Sequence, residues 1–97
     1  MTEAVYRRAV ELMEADLEDE LVALDPEAGN CFGFNNVATS VWKSLEQPKS
    51  FEQLRAALLD EFEVGEEQCD RELHMLLEDL IAKRLIEKSD RSGNNLP

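Results

Sequence analysis

Apolar positions change their spacing once along the chain. Up to Phe34 they fall in short runs bounded by turn residues, and from Asn35 onward they recur every three to four residues. Glu20–Asp25 is a short apolar segment, Pro26-Glu27-Ala28-Gly29-Asn30 is a strong turn signal, and Cys31-Phe32-Gly33-Phe34 is a second short, aromatic segment. Two such runs joined by a Pro/Gly/Asn turn predict a hairpin. Val5–Ala15 fits two periods: Val5, Ala9, Leu12 and Met13 suit a helix, whereas Val10 and Leu12 alternate with their neighbours as in a strand. The acidic, turn-like run Asp16–Glu20 that follows favours a strand near Ala9–Glu14, which completes a meander.

The second part of the chain predicts three helices. Val37, Val41 and Leu45 share one face with Ala38 and Trp42 beside them, Asn35 or Asn36 supplies the N-cap, and Gln47-Pro48-Lys49 ends the run. Ser50-Phe51-Glu52-Gln53 has the Ser-x-x-Gln spacing of a capping box, and Phe51, Leu54, Leu58 and Phe62 form the stripe behind it before Val64-Gly65 stops it. A third helix is predicted from about Glu66 to Leu85. Its buried seam is Cys69, Leu73, Leu76, Leu77 and Leu80, flanked by Ile81. Glu66 and Glu67 at its start and Lys83 and Arg84 at its end suit the helix dipole. The expected fold is therefore α+β, a three-stranded antiparallel sheet followed by three helices that cover one sheet face. In a meander Cys31–Phe34 lies at an edge, and neither Lys nor Pro blunts it. Gly33 in its middle lets another backbone approach closely. Residues 1–88 read as one domain, and Ser89–Pro97, without periodicity, as a disordered tail.

Composition narrows the class of function. With 97 residues the chain forms one domain with a modest core and little room for a deep cleft. It carries 22 acidic against 10 basic residues, a formal charge of -12, so binding to nucleic acid or to anionic membranes is disfavoured. No apolar run is long enough to span a bilayer, and the N-terminus lacks the apolar centre of a signal peptide, which predicts a cytoplasmic protein. Cys31 and Cys69 are too few and too far apart for a disulfide framework and are expected to be reduced and at or near the core.

Candidate chemistry is sparse. His74 is the single histidine; five residues from Cys69 on one helix, it points away from that thiol. A Cys31–His74 pair is geometrically possible if the third helix packs beside the third strand, but a rim histidine is the simpler reading. Cys31, Cys69 and His74 do not make a zinc site, His74 and Glu78 lack the second histidine of a His-Glu-x-x-His motif, and Asp16–Glu20 lacks the alternation of a calcium loop. No catalytic residue, metal or cofactor is expected. Trp42 and the helical phenylalanines read as core, whereas Phe32 and Phe34 share a strand face toward the helices, so that at least one is available to line a groove.

The ordered set of these segments resembles the PqqD-like proteins. In that family an aromatic strand ending in Leu-Asn leads into a helix carrying Ile-Trp, as Cys31-Phe32-Gly33-Phe34-Asn35-Asn36 leads here to Val41-Trp42. Ser50-Phe51-Glu52-Gln53-Leu54 is similar to the start of the family's second helix, and Asp70, Leu73, Leu77, Leu80 and Arg84-Leu85-Ile86 to its third helix and Gly-Leu-Ile end. The likeness runs from about Ala4 to Glu87. Phe34 stands where Leu is usual, and Arg84 where Gly is.

The resemblance implies a winged-helix-like domain that recognises ribosomally made, post-translationally modified peptides. The leader peptide of a precursor, most like those of lasso peptides, would add as a strand beside the third strand, in a cleft bounded by the third helix. The implied strand side is Cys31, Phe32, Gly33 and Phe34; the implied helix side is Asp70, Leu73, His74 and Leu77. Implied partners are a separate, cysteine-protease-like leader peptidase and a later-acting cyclase. The open edge also permits pairing of two copies. The competing expectation is a winged-helix DNA-binding regulator. It needs a basic recognition helix, which the acidic second and third helices do not offer.

Overall fold

The computed structural model describes residues 4–18 and 20–90. The strands are β1 (Ala4–Arg8), β2 (Met13–Leu17), β3 (Glu20–Asp25), β4 (Asn30–Phe34), β5 (Lys49–Ser50) and β6 (Ile86–Asp90). The helices are α1 (Asn36–Ser44), α2 (Phe51–Glu61) and α3 (Glu66–Ala82).

The expected meander forms from β2, β3 and β4, in that order, antiparallel throughout. Leu17 stands opposite Glu20, so the chain reverses within two residues, and Glu18 takes a positive φ of 49°, as such tight hairpins require. At the other end Asp25 organises the turn. Its Oδ1 accepts the amides of Glu27 (3.0 Å) and Ala28 (3.3 Å), its carbonyl accepts the amide of Gly29 (2.7 Å), and Gly29 supplies the φ of +77°.

The strand expected near Ala9–Glu14 is not one element. β1 ends at Arg8, residues 9–12 connect, and β2 starts at Met13. The alternation of Val10 and Leu12 comes from a connection whose apolar side chains pack on the core. β1 belongs to a second three-stranded sheet, β5-β1-β6, that the sequence pattern did not reveal. It pairs with β6 from Ala4↔Asp90 to Arg8↔Ile86. Ser89 and Asp90 are thus strand residues, two positions past the expected domain end; the remainder of the expected tail lies outside the described residues.

The helix ends follow from local chemistry. Asn35 Oδ1 caps α1 by accepting the Ala38 amide at 2.9 Å. Ser50 and Gln53 form the reciprocal capping box of α2 at 3.2 and 2.9 Å. α3 stops three residues sooner than its apolar run suggests, because Arg84 turns left-handed (φ 63°). The Leu85 amide then donates to the Leu80 carbonyl (3.0 Å) and the Arg84 amide to the Ile81 carbonyl (2.9 Å).

One core joins all the layers. Leu21, Ala23 and Phe34 from the meander meet Trp42 and Leu45 of the α1 end, Leu54 and Leu58 of α2, and Leu73, Leu77 and Leu80 of α3. Trp42 is fully buried and ties the two sheets together. The Arg8 guanidinium lies over its ring, 4.2 Å from the centroid, and donates through Nε to its carbonyl at 3.1 Å. Glu14 on β2 accepts the Trp42 Nε1 proton at 2.8 Å and stands 3.5 Å from Arg8.

Candidate functional site

β4 is the last strand of the meander, so its outward backbone groups have no partner strand among the described residues. Beside it lies a cleft of about 470 Å³. Cys31, Phe32, Gly33, Phe34 and Asn35 form its strand wall, and Leu76, Asp79, Leu80 and Lys83 its helix wall. The floor is apolar: Phe32 and Leu76 are half-buried, and Phe34 packs on Trp42 with ring centroids 5.7 Å apart. Asp79 and Lys83 pair along the helix rim at 2.6 Å. Two larger hollows exist, of about 580 and 660 Å³, but they are edged by charges already engaged with the fold, such as Asp16–Lys43 in one and Arg8 in the other. The first reaches β2, the other edge strand of the meander, but its wall there is acidic, formed by Asp16, Glu18 and Glu20.

The structure brings the expected strand quartet to one cleft. Phe34 contributes from the core, Phe32 from the wall. Cys31 is exposed rather than at the core, because in the register with Leu24 it sits on the sheet face turned away from the helices. Cys69 is buried, and that burial pushes its thiol pKa up, which disfavours the nucleophilic thiolate.

The expected helix quartet does not reach the cleft. Leu73 and Leu77 are fully buried core residues. Asp70 turns to α2, where it pairs with Arg55; that hydrogen bond raises the Arg55 pKa above its usual value. Arg55 also lies 3.4 Å from Glu66. His74 stacks on Phe51 of α2, ring centroids 4.5 Å apart, so no Cys31–His74 pair is built. These four residues occupy the α2-facing and core-facing sides of α3, whereas Leu76, Asp79, Leu80 and Lys83 form the stripe facing β4. Leu76, part of the buried seam by its spacing, is half-buried and lines the cleft instead. Its adjacency to Leu77 was the available signal: at about 100° per residue the two side chains leave different sides of the helix, so with Leu77 at the centre of the core Leu76 is free to serve a second surface.

Among the described residues no cluster of three or more His, Cys, Asp or Glu side chains has the arrangement to hold a metal ion. None of the described helices is long and apolar enough to cross a membrane. What the arrangement offers is an unpaired strand edge, an apolar floor and a charged rim, the parts needed to hold an extended chain.

Residues 20–86 match the family described as Coenzyme PQQ synthesis protein D (PqqD). The chain belongs to the PqqD family. A solved structure with the same fold is that of TbiB1 in complex with the TbiA(beta) leader peptide. The two chains are 30% identical with a TM-score of 0.73, over 84% of this chain and 94% of that one. None of the curated proteins compared matches the chain. The matched PqqD region runs from the first residue of β3 to the first of β6, so it holds both walls of the cleft and leaves β1 and β2 outside. The TbiB1 likeness extends over more of the chain.

Proposed function

We propose that this PqqD-family domain binds the leader segment of a ribosomally made precursor peptide, of the lasso-peptide kind, as a strand added to β4. The observation that carries the reading is the open β4 edge beside a cleft walled by α3, in a fold shared with a protein solved with a leader peptide. Backbone groups of β4 supply affinity whatever the peptide's sequence, and alternate peptide side chains enter the apolar cleft between Phe32 and Leu76. The domain performs no chemistry. It holds the precursor in the cytoplasm for a separate, cysteine-protease-like leader peptidase, and a cyclase acts afterwards.

Fluorescence anisotropy with a labelled leader peptide tests this. Binding is saturable, and Phe32→Ala or Leu76→Ala weakens it about tenfold, the loss expected for a central apolar contact. Asp70→Asn leaves it unchanged, since Asp70 faces Arg55. An N-methyl scan of the peptide shows loss at every second residue, the signature of an edge that bonds alternate amides. Uniform tolerance to N-methylation would rule out strand addition, and tight binding to duplex DNA with no affinity for the leader would replace the reading with the regulator alternative.

A further inference from the structure

The face of the meander turned away from the helices is almost entirely apolar. Cross-strand partners share a face, and the core-facing set is fixed by the buried Leu21 and Ala23. The opposite face therefore carries the rows Met13–Leu24–Cys31 and Ala15–Val22–Gly33, with Leu17 beside Glu20. Met13 is 62% exposed, Leu17 55% and Leu24 39%; among the described residues the one other large exposed hydrophobic, Met75, lies apart on α3. So concentrated a patch marks an interaction surface rather than scattered surface apolarity.

Its surroundings are of one sign. From Ala9 to Trp42 the sequence contains no Lys or Arg and eight Asp and Glu residues. Glu18 and Glu20 stand at one end of the apolar rows and Glu27 at the other. Lys43 and Arg8, which reach the meander from outside it, bind Asp16 and Glu14 on its inner face. A second copy would bring acid rim against acid rim, and an anionic membrane or a nucleic acid would be repelled by the same groups. The complementary surface is a protein face with an apolar centre and a rim of Lys and Arg.

We infer that this outer face docks such a protein, and that it is the enzyme that processes the bound peptide; the second half of this inference rests on the leader-binding reading. The cleft runs along the β4 edge toward the helices and the dock spreads over the opposite face of the same sheet, the two meeting at Cys31 and Gly33 of β4. Peptide and enzyme are then held at once by a single three-stranded sheet.

The test uses the intact domain, a labelled leader peptide and the purified peptidase that cleaves the same precursor. Peptidase affinity is measured with and without the leader, and leader affinity separately. Met13→Ser/Leu17→Ser changes two exposed side chains of the edge strand β2, and Glu20→Lys/Glu27→Lys changes rim charges alone; circular dichroism verifies that each variant is folded. Both variants keep leader affinity within about twofold and lose about tenfold or more in peptidase affinity, as removal of central contacts or reversal of rim charge does. Wild-type affinity for the peptidase falls as salt is raised. Unchanged peptidase binding by both folded variants overturns the dock and leaves the peptide reading standing. Peptidase binding that needs Met13 and Leu17 in a domain with no leader affinity upholds the dock and removes the peptide reading. A dimer in sedimentation that Met13→Ser/Leu17→Ser disperses also overturns the proposal, because it gives the face to a second copy.

Discussion

The two three-stranded sheets of this domain solve the same edge problem in opposite ways. The β5-β1-β6 sheet is assembled from segments near residues 4–8, 49–50 and 86–90, and it closes the fold. Its long edge strand β6 carries Glu87 and Lys88; Glu87 pairs with Arg7 at 3.1 Å and Lys88 reaches over Tyr6. Charge of this kind discourages any further strand. The β2-β3-β4 meander is local in sequence, and its β4 edge, Cys31–Phe34, carries no charge. One edge is protected because nothing should add to it. The other is left open, beside an apolar cleft, in the position where an added strand is useful.

The sharpest way to break this contrast is to end the chain at Leu85. That removes the whole β6 ladder and the buried Ile86, so urea titration followed by circular dichroism shows no cooperative transition. A wild-type transition would mean that the second sheet is not needed for closure. Next is the joint between the sheets. Trp42→Ala costs about 3–5 kcal/mol of unfolding free energy, the range for truncating a fully buried aromatic. Trp42→Phe, which mainly loses the bond to Glu14, costs about 1 kcal/mol in the same measurement. Within β4 the two aromatics separate: Phe34→Ala, a core truncation, costs about 3 kcal/mol, and the half-buried Phe32→Ala about 1 kcal/mol. Equal costs would return Phe32 to the core and leave the cleft without its wall. The smallest effect is a gain. Arg84→Gly relieves a left-handed residue after α3 and raises stability by about 0.5–1 kcal/mol, read from the urea midpoint.

The same contrast explains what the sequence made legible. The hairpin and the helix caps were readable because their signals are local: the Pro26–Asn30 turn, Asn35, and the Ser50/Gln53 box. The second sheet was not, since nothing in Ile86-Glu87-Lys88 or in the two-residue β5 marks a strand, and pairing across 80 or so residues leaves no periodic trace. The strand wall of the cleft could be named because an unblunted aromatic edge is visible in the text. The helix wall could not be carried over by resemblance alone. α3 does border the cleft, but Asp70, Leu73, His74 and Leu77 lie on its other sides, and only packing shows which stripe of a leucine-rich helix faces β4.

The pairing of Ala4 with Asp90 places the two ends of the described fold side by side. A segment whose ends meet can be spliced into a surface loop of a larger polypeptide without being pulled apart. Ala4 and Asp90 are thus natural splice points for joining the domain in one chain to another protein, and the open β4 edge and the outer face of the meander would both survive such a graft, because neither strand of the β1–β6 ladder contributes to them.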